Sequence, residues 1–365
     1  MAEKANGPLE TFQPRPEEQG EVLLRASDLE AAELFELASQ IKKLQPWRWM
    51  EETDLFGIEH PDTGELGFVS VMGSVGEYEA VALYLGAKGL YEFVALLENE
   101  SNPALALSVP HVQVAFLDRR DLEKEDLSLI KQLGLKFKGR GAWPKFRSYR
   151  AGYLPWFITI QEARFLIHAL SQVIQVAIKL CIGAQPFHPT GRVEEGGLPM
   201  RVARNDDSQL IWEDQVWRIA KPKPEPMRVS IDDPALESLQ RIPRSKLELE
   251  LDLMLVPALI GPRGQRPLAA YALMVADGES GFLFGCELLS AQDSYAAMYS
   301  RLPNVVIKLL WQAQVVPARV SVRSDKLRNV LKPLVQRLNV ELELVTALPS
   351  IDEALQSMKR WMQEG

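Results

Sequence analysis

The stretch VSVMGSVGEYEAVALYLGAKGL, from Val69 to Leu90, places four glycines among β-branched and aromatic residues. Glycines in such a run serve either a phosphate-binding loop or a hairpin turn. A phosphate-binding loop leads from a strand into a helix N-terminus, where unpaired N–H groups and the helix dipole meet the anion. The segment around Gly73 and Gly76 instead lies between two strand-like runs. We therefore predict a β-hairpin in which these glycines adopt positive φ angles.

The residues around this hairpin alternate between helical and strand periodicity, in the order αβββαβαβα. Residues 232–362 repeat that order, and VADGESGFLFG (275–285) takes the place of the first hairpin. The predicted segments of the first half are a helix at 29–44, strands at 47–60, 66–73 and 79–86, a helix at 87–100, a strand at 111–118, a helix at 122–134, a short strand LKFKG at 135–139, and a long helix at 159–180.

This element order resembles that of the ribonuclease H-like fold. Right-handed crossovers would then bring the fourth and fifth strands parallel to the first. We predict an α/β protein with mixed sheets, in which two similar αβββαβαβα domains arose by internal duplication. The predicted organisation is a disordered tail (1–26), a first domain (27–184), a Pro/Gly-rich linker (185–227) and a second domain (228–365).

Three segments also resemble an uncharacterised bacterial family of domains of unknown function, and this resemblance implies no activity. The segments are WMEETDLFGIEHPDTGELGFVSVMG, LKFKGRGAWPKFRSYRAGYLPWF and RVSVRSDKLRNVLKPLVQRLNVELELVTALPSIDEA.

The composition limits the classes of protein to consider. The chain has 365 residues, 47% of them hydrophobic and 25% charged, which is typical of a soluble protein of about two domains. Its formal charge of -8 argues against a surface that binds nucleic acid everywhere, but it permits a local basic patch. Cys181 and Cys286 are predicted as buried thiols in a reducing compartment. Without a signal segment or an apolar run near 18 residues, we expect a cytoplasmic protein with no membrane contact.

The sharpest local feature is the basic–aromatic segment, residues 131–150, which contains seven cations and no acid. Cations neutralise phosphates and aromatic faces stack bases, so this composition suits a nucleic-acid groove. We interpret it as an insertion that binds a polyanion, although WP (143–144) and GYLPWF (152–157) fit an aromatic–proline clasp between the two halves equally well. The candidate polyanion-binding residues are Lys136, Lys138, Arg140, Trp143, Lys145, Arg147, Tyr149 and Arg150.

The ribonuclease H-like resemblance implies a second possibility, a nuclease in which carboxylates hold two magnesium ions. The second half offers Asp252, Asp293, Asp325 and Asp352 or Glu353, and the first half offers Asp54, Glu92, Asp118 and Glu162. These acids also fit structural roles. Glu248, Glu250 and Asp252 alternate with leucines, as on a strand with one solvated face, and Asp325 and Asp352 stand where helix caps favour acids.

The four histidines, His60, His111, His168 and His188, show no spacing typical of zinc sites, so we predict no metal site and no cofactor. No GxSxG elbow, dinucleotide fingerprint or GKS/GKT loop occurs. The leading hypothesis is a cytoplasmic, non-catalytic binding or scaffolding protein whose partner is nucleic acid, another polyanion or a protein. The alternative is a magnesium-dependent nuclease that uses Asp252, Asp325 and Asp352 or Glu353. The oligomeric state has no signature in the sequence.

Overall fold

The computed structural model describes residues 28–76, 78–98, 107–183, 197–206, 209–223, 227–262, 264–292 and 294–364. The predicted tail, residues 1–26, lies outside these ranges. The described residues form eight α-helices and twelve strands, arranged in two mixed sheets. This confirms the predicted α/β class.

The first half begins with a helix and contributes seven strands. Its elements are α1 (Asp28–Leu44), β1 (Phe56–Glu59), β2 (Leu66–Met72), β3 (Ala80–Leu85), α2 (Gly86–Glu98), β4 (His111–Leu117), α3 (Lys124–Gln132), β5 (Trp143–Tyr149), α4 (Ile160–Cys181), β6 (Leu198–Asp206) and β7 (Gln209–Trp217). Two short 3-10 helices, Pro46–Arg48 and Arg119–Asp121, lie between them.

The second half follows the predicted order of elements closely. Its elements are α5 (Asp233–Gln240), β8 (Glu248–Ile260), β9 (Leu268–Asp277), β10 (Leu283–Ser290), α6 (Tyr295–Ala313), β11 (Arg319–Val322), α7 (Asp325–Leu338), β12 (Glu341–Leu344) and α8 (Pro349–Glu364).

Both glycine-containing segments are hairpin turns, as predicted. Strands β2 and β3 pair antiparallel, and between them Gly73 and Gly76 have φ angles of 125° and 81°. Strands β9 and β10 also pair antiparallel, and Gly281 between them has a φ angle of 72°. The glycines therefore provide backbone conformations that residues with a Cβ atom rarely adopt.

The second sheet has the strand order β10-β9-β8-β11-β12, with β11 parallel to both β8 and β12. The fourth and fifth strands thus run parallel to the first, as the crossover rule predicts. One face carries a core shared with α5, α6 and α7, and the other face packs against α8.

The first sheet has a different order, β5-β4-β3-β2-β1-β6-β7, so the structure does not confirm the predicted duplication. Strand β4 pairs antiparallel with β3, and β5 pairs antiparallel with β4. The edge of β1 where the fourth strand was expected is taken by β6, which runs parallel to β1. Gly57 permits this pairing, since a Cβ atom there would lie 2.0 Å from the sulfur of Met200. Assignment of either half to the ribonuclease H-like fold stays a prediction.

The predicted fifth strand, LKFKG, is wrong. Residues 135–139 form a loop, and the strand is Trp143–Tyr149, which the sequence pattern places in an insertion. Gly139 and Gly141 have φ angles of 100° and 58°, which end any extended run at that point. Pro144 is tolerated in β5 because this strand lies at the edge of the sheet. The basic–aromatic segment is therefore partly a strand of the fold.

The predicted linker, residues 185–227, also needs correction. Residues 198–217 form the β6–β7 hairpin, which extends the first sheet beyond β1. Arg201 on β6 is 4% exposed and donates to Gln172 at 2.9 Å and Gln175 at 3.0 Å, both on α4, and to Asp214 on β7 at 2.6 Å. A polar network thus holds the hairpin against α4.

Two further expectations from composition are corrected. Among the described residues, α4 is long and apolar enough to cross a membrane by length and composition, although half of its most apolar window is buried inside the protein. Its buried side chains belong to the core of the first sheet, which accounts for their hydrophobicity. Cys181 and Cys286 are exposed rather than buried, because they lie at the end of α4 and on the edge strand β10.

Candidate polyanion-binding surface and other polar clusters

The cations of β5 are held by acids of the fold. Arg147 is 4% exposed and forms a bidentate pair with Asp126 at 2.9 Å and 2.7 Å, and it contacts Glu123 at 2.8 Å. Burial acts to lower the pKa of Arg147, but the bonds to Asp126 and Glu123 outweigh it and raise the pKa. Lys145 also contacts Glu123, at 3.4 Å, and Arg150 contacts Glu162 at 3.3 Å. Arg147 in particular is therefore a structural residue and not a free phosphate ligand.

The aromatic residues of the segment also face protein groups. Phe146 is buried in the core of the first sheet, and Phe137 and Trp143 pack against that core. Tyr149 stacks on His111 with ring centroids 4.0 Å apart, and its hydroxyl accepts a hydrogen bond from Gln113 at 2.7 Å. Burial raises the pKa of the Tyr149 hydroxyl and lowers the pKa of His111 to about 4. These rings are occupied by intramolecular contacts, so they do not form an open platform for bases.

The other three candidate cations, Lys136, Lys138 and Arg140, lie on the loop between α3 and β5. We call this loop, residues 133–142, the basic loop. Lys136, Lys138 and Arg140 are exposed, and within the described residues only Arg140 has an acid within 4 Å, Asp118 at 3.9 Å. Asp118 also accepts from the backbone N–H of Gly141 at 2.8 Å, which fixes the loop beside the end of β4. The exposed side chains of Arg119 and Arg120 follow Asp118 directly and extend the same basic surface.

Residues 150–157, which we call the clasp, join the two sheets. The backbone N–H of Ala269 donates to the carbonyl of Gly152 at 2.9 Å, and that of Leu154 donates to Pro267 at 2.9 Å. Leu154 also packs against the apolar cluster that contains Ala269, Ala291 and Met298. Of the predicted aromatic–proline clasp, GYLPWF (152–157) thus contacts the second half, whereas WP (143–144) lies in β5 of the first sheet. Neither part belongs to the basic loop.

The acids proposed for a nuclease site are neutralised within the second half. The guanidinium of Arg323 donates to Asp252 at 2.6 Å and to Asp352 at 2.8 Å. Asp325 is exposed in the first turn of α7 and pairs with Arg328 at 2.6 Å, while Glu353 is exposed on α8.

Within the described residues these four carboxylates do not gather within 4.8 Å of one another, and Asp293 lies outside those residues. A shared arginine stands between the two central acids, so the geometry gives no support to a two-metal nuclease.

The acids proposed in the first half have local structural partners. Glu162 completes the capping box at the start of α4 with Thr159, and it also accepts from the hydroxyl of Ser148 at 2.7 Å. Asp54 accepts from the backbone N–H of Glu51 at 2.8 Å, and Glu92 lies in α2. With Asp118 holding the basic loop, three of these four acids serve a cap or a turn.

The structure brings together one group that sequence spacing did not predict. His60 and Asp62 in the β1–β2 turn meet His168 of α4, and their potential ligand atoms all lie within 4.8 Å of one another. This is the only such group of His, Cys, Asp or Glu in the part of the chain that the structure describes, and His188 lies outside that part. The only local signal in the sequence was the His-x-Asp spacing of His60 and Asp62. The third member of the group, His168, is remote in sequence.

Comparison with known proteins divides the chain into the same two halves. Residues 32–188 match the family model described as Domain of unknown function (DUF7309), and residues 235–359 match that described as Domain of unknown function (DUF6930). No curated protein and no solved structure matched the chain. The β6–β7 hairpin lies between the two matched regions.

Proposed function

We propose that this chain, whose two halves match family models of domains of unknown function, is a non-catalytic binding protein for a polyanion. The binding surface is the basic loop with its neighbours Arg119 and Arg120. The proposed ligand is a phosphate-bearing polymer, and nucleic acid is the example of this class used in the test below.

The observation that carries the proposal is the contrast between two groups of cations in one segment. Arg147 and Lys145 on β5 contact Glu123 within 3.4 Å, whereas Lys136 and Lys138 project into solvent without an acid within 4 Å among the described residues. Exposed cations without partners keep their attraction for external anions. Because the whole chain carries a charge of -8, this local excess would orient an anionic polymer toward the basic loop.

The packing of the aromatic residues defines the mode of binding. Phe137 and Trp143 rest against the core and Tyr149 stacks on His111, so base stacking has no free platform in this segment. Contacts would therefore go to phosphate oxygens, which carry no sequence information. We expect little preference among sequences and similar affinity for single strands and duplexes.

The test is fluorescence anisotropy of labelled single-stranded and duplex DNA and RNA against the full chain, across a salt series. The decisive variant reverses Lys136, Lys138 and Arg140 to Glu. The matched control reverses three exposed cations elsewhere, Lys223, Arg241 and Lys246, to Glu, because it changes the net charge equally.

We expect the basic-loop variant to bind more weakly at low salt and the control to bind as tightly as the unmodified chain. The slope of log affinity against log salt should fall by about 3 in magnitude for duplex DNA, if each lost cation neutralises one phosphate. Equal loss in both variants would show a net-charge effect and contradict a local site. No binding of the unmodified chain at low salt, with heparin also failing to bind, would overturn the proposal.

A further inference from the structure

A cluster of two imidazoles and a carboxylate lies at one end of the first sheet, away from the basic loop in sequence. His60 directly follows β1, Asp62 lies in the turn before β2, and His168 projects from the middle of α4. One potential ligand atom of each side chain lies within 4.8 Å of the other two. Two of the three ligands are held at regular elements of the fold, the end of β1 and α4, so their positions depend on the packing of the core.

His60 is held in one orientation. It is 6% exposed, its ring contacts Phe165 edge-on with centroids 5.0 Å apart, and it lies 5.4 Å from the ring of His168. Its Nδ1 atom accepts from the backbone N–H groups of Asp62 at 3.1 Å and Thr63 at 3.4 Å. Nδ1 therefore carries a lone pair, the group with which an imidazole nitrogen binds a metal ion.

The β6–β7 hairpin and α4 form the other side of the cluster. The ring of Trp212 on β7 lies 6.0 Å from that of His168. His168 is half-buried between these elements. Asp62, by contrast, is exposed, and it supplies a carboxylate at the open side.

We propose that His60, Asp62 and His168 bind a single divalent ion of the first transition row, with Zn²⁺ or Fe²⁺ as the closest match to the ligand set. Two imidazoles disfavour Mg²⁺ and Ca²⁺, which prefer oxygen ligands alone. Two imidazoles and one carboxylate are the ligand types of catalytic zinc and non-haem iron sites. Three protein ligands leave at least one coordination position for water or a substrate oxygen.

Little rearrangement is needed for binding. Coordination through Nδ1 of His60 exchanges two weak amide contacts, the longer at 3.4 Å, for a metal–nitrogen bond of about 2.0 Å. The turn that carries both amides is exposed, so it can move without disturbing the core. The same movement of the turn would bring the carboxylate of Asp62 onto the ion. This site is independent of the polyanion-binding surface.

The experiment uses the full chain, stripped with a chelator and titrated with Zn²⁺ by calorimetry, with Co²⁺ as a spectroscopic probe. The variants are His168→Ala and Asp62→Ala, and the second keeps the test valid if the first fails to fold. Glu65→Ala is the matched control, because Glu65 is an exposed acid in the same turn.

We expect one Zn²⁺ per chain and Co²⁺ visible absorption typical of mixed nitrogen and oxygen ligands. Both ligand variants should weaken Zn²⁺ binding by more than about tenfold, and Glu65→Ala should leave it unchanged. The proposal is overturned if the chain binds neither ion stoichiometrically. It is also overturned if Asp62→Ala binds Zn²⁺ as tightly as the unmodified chain, since the ion would then occupy another site.

Discussion

At the scale of single residues, the same side-chain type has opposite roles according to its burial. Arg147 is 4% exposed and paired with two acids, whereas the side chain of Arg140 is 95% exposed and its nearest acid is 3.9 Å away. A buried charge that loses its partner is costly, whereas a solvent-exposed pair contributes little. Only the exposed cations can therefore bind an external anion without breaking a buried ion pair.

His111 allows a prediction of pH dependence at the same scale. Its ring is buried, its Nδ1–H donates to the carbonyl of Val109 at 2.8 Å, and burial lowers its pKa to about 4. Between the unfolded pKa near 6.5 and pH 4, the unfolded chain binds a proton that the folded chain does not. The contribution of His111 is therefore complete above about pH 6.5 and is lost as the pH falls toward 4.

The measurement is urea denaturation of the unmodified chain and of His111→Gln at several pH values between 4 and 7. The difference in unfolding free energy should change with pH at up to about 1.4 kcal/mol per pH unit. His111→Asn provides a second non-titrating variant. Parallel pH profiles for all three proteins would contradict the prediction.

At the scale of elements, the β6–β7 hairpin depends on tertiary contacts more than on its own strands. Only two residues of β6 pair with β1, and the buried side chain of Arg201 joins both strands to α4. A hairpin alone is marginally stable in water, so this network should decide whether the hairpin stays docked. It also positions Trp212 beside His168.

We predict that Arg201→Met detaches the hairpin while the rest of the first sheet persists. The loss leaves Gln172 without its donor inside the core, and the local cost should be about 1–3 kcal/mol. Hydrogen exchange should accelerate over residues 198–217 but not over β2 and β3. Arg204→Met is the control, since Arg204 pairs with Glu213 at the surface of the same hairpin. Uniform acceleration across both sheets would instead indicate global unfolding.

At the scale of the whole molecule, the two sheets are joined through the clasp. Gly152 has a φ angle of 84°, and a Cβ atom there would lie 2.5 Å from the carbonyl oxygen of Ala291 in the second half. The side chain of Arg266 in turn donates to the carbonyl of Ser148 at 3.0 Å. Backbone of one half thus packs directly on backbone of the other, which leaves no room for a side chain.

Gly152→Ala should therefore weaken the contact between the halves. Gly264→Ala is the matched control, because Gly264 has a φ angle of 82° but a Cβ atom there would meet no heavy atom within 4 Å. The positive φ alone costs about 1–2 kcal/mol in each variant. We expect a larger fall in the melting temperature for Gly152→Ala and faster proteolysis near residues 150–157. Equal melting temperatures for the two variants would show that the close approach contributes nothing.

Much of the fold could be predicted from local pattern. The apolar period predicts helix α4, and the glycines predict both hairpins, because these signals act within a few residues. The order of the strands in the second half is also predicted correctly, since each lies between clear turn signals. The misplaced fifth strand shows the limit of such signals, because LKFKG and WPKFRSY differ little in strand propensity.

Local sequence patterns account for the identity and order of most elements and for the excess of cations in residues 131–150. Strand pairing instead follows from tertiary contacts, because the pairing partners of β1 depend on competition between β4 and β6 over a long sequence separation. The tertiary structure has two further consequences. It also separated the buried Arg147 from the exposed Lys136 and Lys138, since burial depends on what packs over a strand. It brought His168 to His60 and Asp62 because helix α4 crosses the end of β1, a juxtaposition that no local spacing records.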